Sequence, residues 1–273
     1  MSPAEQTSLG VRQFRERVAA QRAEHYRRLF GPVTASVLPA LAAAAGLGAG
    51  GRALDLGCGD GRLSAMLTGL GWCCLPADLS MSAMRSETGR IPVNAIVADA
   101  MALPVADGAV ELVAAAFLTP HLPDLHRGLA EMRRVLCRDG RVVLAGWSRP
   151  ARSPFNGLLV ELIRDGAGPA DRSALDESVR RADPECVGTE LTRAGFTDVR
   201  VDAVPTTARI ASPEVWWDGL TRGSGGIAFL LQQRTPSDRE DIRRRFLAEA
   251  AKFVQGAVVS VAAEAFVIAA TAA

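Results

Sequence analysis

The stretch RALDLGCGDGRL, residues 52–63, decides the fold. Ala53, Leu54 and Leu56 make a short apolar strand, and Gly57, Gly59 and Gly61 follow at alternate positions. Leu63, Met66, Leu67 and Leu70 then recur at helical spacing. A strand, a glycine turn and a helix in that order aim backbone N–H groups and a positive dipole end at whatever sits above the turn. The spacing does not suit a dinucleotide. G-x-G-x-x-G counted from Gly57 would need a third glycine at 62, where Arg62 stands, and no Gly-Lys-Ser/Thr follows for a nucleoside triphosphate. Asp55, beside the glycines, repels phosphate and asks for a positive group. A ligand bearing both a carboxylate and an ammonium group meets both demands, as the methionine end of S-adenosylmethionine (SAM) does.

Outward from the loop, strand and helix patterns alternate. WCCLPADLS (72–80) predicts a strand with Asp78 at its end, MSAMRSETG (81–89) a helix, and NAIVADA (94–100) a strand reaching Asp99. AVELVAAAF (109–117) is a longer apolar strand, LHRGLAEMRRVL (125–136) a helix, Asp139-Gly140 a turn, and RVVLAGW (141–147) a strand. Continuous apolar strands separated by helices predict an α/β fold, with a parallel sheet covered on both faces. Upstream, residues 11–30 predict a charged amphipathic helix, broken at Gly31-Pro32 and followed by a second helix over 33–45. Downstream come a helical piece at 155–165, a helix at 186–195, a strand at 197–204 and a last strand at about 257–270. Ser237 and Glu240 have the spacing of a capping box that would open a helix carrying Ile242, Phe246, Ala250 and Phe253.

Composition narrows the function classes. The chain has 273 residues, with 31 Lys and Arg against 30 Asp and Glu, so it carries no electrostatic footprint for nucleic acid or an anionic membrane. The N-terminal region has no apolar signal core, and the Ala-rich run near 40–50 and the apolar tail 257–273 are too short to span a bilayer. The expectation is a cytoplasmic protein. Five cysteines lack metal-ligand spacing, so no metal is expected.

LDLGCGDG (54–61) resembles the first motif of the class I SAM-dependent methyltransferases, Asp-x-Gly-x-Gly-x-Gly, and the match extends beyond one loop. Asp78 and Asp99 end successive strands, as that family's acids do. ADAMALPVADGAVELV resembles its Asp-x-x-x-Leu-Pro segment leading into strand four. HLPDLHRGLAEMRRVLCRDGRVVLAGW resembles its histidine-containing loop, helix and strand five. The similarity is specific over about 50–147, looser over 187–204 and 257–270, and closest to the small-molecule branch containing the ubiquinone and menaquinone methyltransferases. Glu111, in place of the usual aspartate, and Arg138-Asp139-Gly140, in place of Pro-Gly-Gly, depart from the pattern away from the ligand.

The resemblance implies a Rossmann-like, mostly parallel seven-stranded sheet with helices on both faces and a helical cap over the active site. It divides the chain into an N-terminal helical lid (1–45), a SAM-binding core (46–149), a cap insertion (150–186), and a completion of the sheet (187–273) with a further cap insertion at about 206–256. It implies SAM as cofactor, with Asp55, Gly57 and Gly59 at the methionine end, Asp78 and Leu79 at the ribose, Asp99 and Ala100 at the adenine, and Phe117 and the lid residue Tyr26 packing nearby. Alternatives stand beside these roles. Asp60 suits a helix start, Asp78 an N-cap, Asp99 a solvated strand end, and Tyr26 core packing.

Methyl transfer from a sulfonium needs alignment, exclusion of water and a place for the acceptor's proton. His121, following strand four at the ligand-binding edge, is the candidate base. His126 suits surface helix and His25 adjoins Tyr26. Trp216 and Trp217 diverge on a helix, so that one can fill the cap and the other line a pocket, and 221–226 would be a hinge. The composition of the caps favours a small apolar or aromatic acceptor. A SAM-binding cyclase or isomerase on the same fold is the alternative, and a nicotinamide oxidoreductase is disfavoured by the misplaced glycine. The sequence leaves the acceptor and the oligomeric state open.

Overall fold

The computed structural model describes residues 3–85, 92–168, 172, 175–176, 179–180, 183–224, 231–232 and 234–273, with 3–23 as backbone helix only. The predicted helix over 81–89, the cap segment 150–186 and the hinge at 221–226 lie partly outside these residues.

Helix α1 (Pro3–Ala45) leads into β1 (Arg52–Leu56), α2 (Arg62–Gly69), β2 (Cys73–Asp78), the short α3 (Met81–Met84) and β3 (Ile96–Val97). Then come β4 (Val110–Ala116), a 3-10 turn (Thr119–His121), α4 (Leu125–Val135), β5 (Leu136–Trp147) and α5 (Pro154–Asp165). Helix α6 (Pro184–Arg193) precedes β6 (Phe196–Ile210), and α7 (Pro213–Gly223) and α8 (Pro236–Ala250) precede β7 (Val254–Gln255) and β8 (Val258–Ala272). The strands form one sheet in the order β3-β2-β1-β4-β5-β8-β6, with β7 on β8. Strands β1 to β5 are parallel, and β8 runs antiparallel to both neighbours. The expected α/β sheet with helices on its faces is therefore present.

Successive strands move outward from β1 to β3, and the chain then returns to lay β4 on the other side of β1. Such a reversal opens a crevice at the carboxyl ends of β1 and β4, the position where open α/β sheets bind ligands. One core layer packs α4 and α6 on the sheet through Leu129, Met132, Val187 and Leu191. The opposite layer sets Val37, Leu41 and Ala45 of α1 and Leu63 and Leu67 of α2 against Leu112, Val143 and Val267.

Four local expectations need correction. The helix expected to break at Gly31-Pro32 continues through Pro32 and Pro39. An internal proline costs roughly 3 kcal/mol. The buried stripe Phe30, Val33, Val37, Leu41 and Ala45 offsets that cost, because each large buried side chain contributes roughly 1.5–3 kcal/mol. The stretch 24–45 is long and apolar enough to cross a membrane, but that stripe is buried against the sheet and cap. Strand β6 does not end near 204 but runs to Ile210, held by pairing from Thr206↔Ala263 to Ile210↔Val259. The strand expected over 94–100 shortens to Ile96–Val97. Helix α8 starts at Pro236 rather than at Ser237, because Thr235 is its cap. Thr235 Oγ1 accepts from Asp238 N at 3.1 Å.

A third cluster lies beyond the end of β5. Phe155, Leu159 and Ile163 of α5, Trp216 and Leu220 of α7, and Ile242 and Phe246 of α8 gather around Val259 and Val261, together with Leu29, Phe30 and Val33 of α1. Trp216 is fully buried and satisfies its indole by donating to Phe155 O at 2.9 Å. Trp217 is also buried, at 8% exposure, so both tryptophans belong to this core. Helices α7 and α1 meet at Gly219 and Gly223. A Cβ on Gly219 would lie 2.5 Å from Leu29 Cδ2, and one on Gly223 2.9 Å from Tyr26 N.

Candidate active site

The glycine loop leaves β1 at the crevice, with Gly57, Gly59 and Gly61 all at positive φ. Gly57 N and Cys58 N both donate to Ala77 O, and Gly61 N donates to Cys58 O. A Cβ at Gly57 would meet Leu118 at 3.1 Å, whereas one at Gly59 (φ 51°) would project into open space. Gly59 therefore keeps a backbone surface bare for a ligand's close approach.

Two acids brace this loop from opposite sides. Asp55, only 1% exposed, takes a hydrogen bond from Ser64 Oγ at 2.5 Å, joining the end of β1 to the first turn of α2 beneath the glycines. Burial pushes the Asp55 carboxyl up to about 7. The bonds from Ser64 oppose that rise, and the charge of Asp78 adds to it. Asp78, at the end of β2, accepts from Gly59 N at 3.0 Å through Oδ2 and from Ser80 N at 2.8 Å through Oδ1. Its carboxyl is also raised, chiefly by burial. Ser80, not Asp78, caps α3, which removes the N-cap alternative for Asp78. Asp60 precedes the Gly61 cap of α2 and pairs with Arg62 at 3.0 Å.

Further along the crevice, Leu79 stands 66% exposed beside Asp78, with Met81, Val93 and Val97 also bare. Asp99 is exposed and accepts from Met101 N at 2.9 Å, while Ala100 is buried. Phe117, at the end of β4, has φ of +58°, a strained conformation for an aromatic residue of the kind that clusters at functional sites. It is 4% exposed and its ring lies 4.6 Å from Trp147 at the end of β5. Trp147 also neighbours Phe30 at 5.9 Å and Phe155 at 5.6 Å, and Tyr26 stacks on Phe30 at 4.9 Å. Burial raises the Tyr26 hydroxyl well above the usual phenol range, so it stays protonated as a potential donor. Arg27, the next residue of α1, donates to Arg85 O at 3.2 Å, so that α1 reaches from the cap across to the segment after α3.

His121 lies in the 3-10 turn after β4 and keeps solvent-accessible surface. Surrounding protein nevertheless lowers its pKa by desolvation, against the opposing charge of Asp78. Its imidazole is therefore neutral near pH 7, the form that accepts a proton. His126 pairs with Glu190 at 3.4 Å on the outer surface, away from this chemistry. The crevice thus brings together Gly57, Gly59, Asp78, Leu79 and His121, whereas Asp55, expected to face the methionine end, is buried beneath the loop and spends its carboxylate on Ser64. Phe117 and Tyr26 sit in the aromatic group beside it, and Asp99 stands at its far end.

Sequence reasoning missed two residues here. Ser64 is a polar residue next to Leu63 on the buried side of α2, a signal that it must find a buried partner. Trp147 gave no sign beyond its place at the end of a strand.

The residues fit SAM as a bound group, because an open glycine surface adjoins a half-buried acid and a bare apolar lip. A methyltransferase-domain family model matches residues 54–144. The chain is 32% identical over 160 residues to the demethylmenaquinone methyltransferase of Mycolicibacterium vanbaalenii, covering 55% of this chain and 69% of that one. A Bacillus halodurans C-125 chain classed as a methyltransferase superposes with a TM-score of 0.57 at 20% identity, covering 86% of this chain and 98% of that one. Haemonchus contortus phosphoethanolamine N-methyltransferase 2, solved with S-adenosylhomocysteine, gives 0.51 at 14% identity over 91% of this chain and 56% of that one. At these identities the two structures speak for the fold. The chain belongs to the class I SAM-dependent methyltransferases. It is an enzyme that takes SAM as its cofactor, and it resembles the quinone methyltransferases of that family.

Proposed function

We propose that the crevice transfers a methyl group to a small apolar or aromatic acceptor bound under the α1, α5, α7 and α8 cap. One observation carries this reading: the glycine loop held by Asp78 and the aromatic group at the ends of β4 and β5 open on the same edge of the sheet. When bound, SAM supplies a methyl group already activated by its sulfonium centre. Gly57 and Gly59 offer backbone to the methionine end, with Asp55 setting the loop from below. Asp78 has its carboxylate oxygens placed to receive ribose hydroxyls, and Leu79 lies beside it to cover one face of the adenine. Asp99 and Ala100 close the adenine end. Phe117 supports the acceptor wall from behind, and Tyr26 brings a protonated hydroxyl to its rim. His121 holds the acceptor's proton.

The division into lid (1–45), core (46–149) and cap segments belongs to the same proposal, with the second cap insertion, expected at about 206–256, confined between the end of β6 at Ile210 and the start of β7 at Val254. Its support is the packing of α1 on α7 and the reach of Arg27 to residue 85. Cytoplasmic location and a biosynthetic role belong to it too, and the burial of the apolar half of α1 agrees with that location.

Calorimetric titration with S-adenosylhomocysteine, SAM and NADH, followed by an acceptor screen read by S-adenosylhomocysteine release, tests this function. Binding of the first two and stoichiometric release with methylated product is the expected result. Product formed without S-adenosylhomocysteine would replace transfer by a cyclase or isomerase reaction.

A further inference from the structure

The sheet ends in one short edge and one long one. On one side β3 offers only Ile96 and Val97, while on the other β6 runs for 15 residues with β8 along one flank and no strand along the other. Such an edge presents unpaired N–H and C=O groups to any strand that fits it. Two features limit how much of it can pair. Asp198, at φ of +52°, is the extra residue of a bulge between Thr197 and Arg200. Pro205, opposite Glu264, has no N–H, so its nitrogen belongs on the open flank. Backbone groups alternate between flanks along a strand, so Val199, Val201 and Ala203 also turn theirs outward. The usable edge is therefore Val199 to Ala203, centred on Val201.

That segment reads Val-Arg-Val-Asp-Ala, and its two faces differ. Val199 packs on the core layer of the α6 side, and Val201 on the same side, paired with Ile268, is 46% exposed. Arg200 and Asp202 are exposed on the opposite, α1 side, where they pair with Ala269 and Val267 of β8. Neither has an ion-pair partner among the described residues. Charges on an edge normally keep a second copy away. These two are of opposite sign and flank one central residue, so a strand of the same sequence laid antiparallel meets each charge with its complement.

We propose that β6 pairs antiparallel with the β6 of a second copy, about a two-fold axis at Val201, to make a homodimer with one continuous sheet. Val201 faces its own copy on the α6 side, with Val199 against the partner's Ala203. On the α1 side Arg200 faces the partner's Asp202, and Asp202 faces the partner's Arg200. These are the positions without hydrogen bonds, where facing side chains come closest. Pro205, lacking a donor, falls opposite the bulge at the partner's Thr197, so the ladder stops where neither strand could continue it. Each copy spends its one long edge, and assembly closes at two. β6 lies four strands from β1, roughly 19 Å at the usual strand spacing, so both crevices stay open, on opposite rims of the joined sheet.

The test is sedimentation equilibrium of the full chain at up to about 0.5 mM, a range that populates an interface of one short ladder. The average mass of wild type should rise from 28.8 kDa toward twice that value. Arg200→Asp sets like charges opposite each other, as does Asp202→Arg, and each should weaken self-association by about tenfold or more. Mixed in equal amounts, the two variants carry complementary edges and should form a heterodimer as strong as the wild-type dimer. Urea midpoints equal to that of wild type report that both variants are folded. Wild type that stays monomeric over this range, dimers that persist in both single variants, or a mixture that remains monomeric would each overturn the proposal.

Discussion

Ser64 Oγ and Asp55 Oδ2 lie 2.5 Å apart beneath the glycine loop, in a pair from which water is excluded. The carboxyl it involves titrates near 7 instead of in the usual acid range. In the unfolded chain Asp55 ionises near 3.8, so between that value and about 7 the folded state holds the proton that the unfolded state has lost. Stability from this group is therefore full at low pH, declines as pH rises to about 7, and is level above it. Asp55→Asn removes that slope. Urea unfolding between pH 5 and 8 should show the variant gaining on wild type by up to about 3 kcal/mol across that range. Parallel curves would mean that Asp55 ionises normally.

Ser64→Ala takes away the hydroxyl that lowers the Asp55 carboxyl. The midpoint of the stability–pH slope should then move above its wild-type position, while Ser64→Thr keeps it in place.

Asp78→Ala leaves Gly59 N and Ser80 N without their carboxylate and removes the group assigned to the ribose. S-Adenosylhomocysteine binding should weaken by about 1.5–3 kcal/mol, the scale for hydrogen bonds to a charged group. Calorimetry giving wild-type affinity would remove Asp78 from the cofactor site.

With its lowered pKa, His121 should place the acid limb of the rate profile below the usual histidine value of about 6.5. Turnover should rise with pH through that limb as the imidazole loses its proton. His121→Ala should lower kcat and abolish the limb while leaving S-adenosylhomocysteine affinity intact. A variant with the wild-type profile would exclude His121 as the base.

Gly223→Ala sets two effects against each other. Alanine favours the α7 helix by about 1 kcal/mol. Its methyl would, however, sit 2.9 Å from Tyr26 N and 3.1 Å from His25 C, backbone atoms that cannot rotate away. Overpacking costs about 1–3 kcal/mol, so a net loss in unfolding free energy is expected, and acceptor binding should suffer more than cofactor binding. A stabilised variant would show that α1 and α7 separate freely.

The glycine loop, the acids after it and the alternation of strands and helices were legible because each depends on neighbours in sequence: a turn needs its glycines and a strand its apolar run. The failures share the opposite cause. Pro32 reads locally as a helix breaker, and only the burial of Phe30, Val33 and Val37 against distant elements keeps α1 whole. Residues 206–210 carry no strong strand pattern and are extended because Val259 to Ala263 pair with them. Thr235 outcompetes Ser237 as a cap because Pro236 is best placed in the first turn. Among site residues, Asp78 announced itself by its place after a strand. The partner of Ser64 and the aromatic group around Trp147 exist only once the chain has folded.

The pairing of Ile210 with Val259 has an evolutionary consequence. From the end of β6 to the start of β7 the chain leaves the sheet, and β7 and Ile210 both return it to the same end of β8, so α7 and α8 form a cassette with a fixed attachment. Such a segment can be lengthened, replaced or recombined without shifting the register of a single core strand. Lineages carrying this scaffold are thereby free to trade one acceptor for another while the machinery for the methyl donor is inherited unchanged.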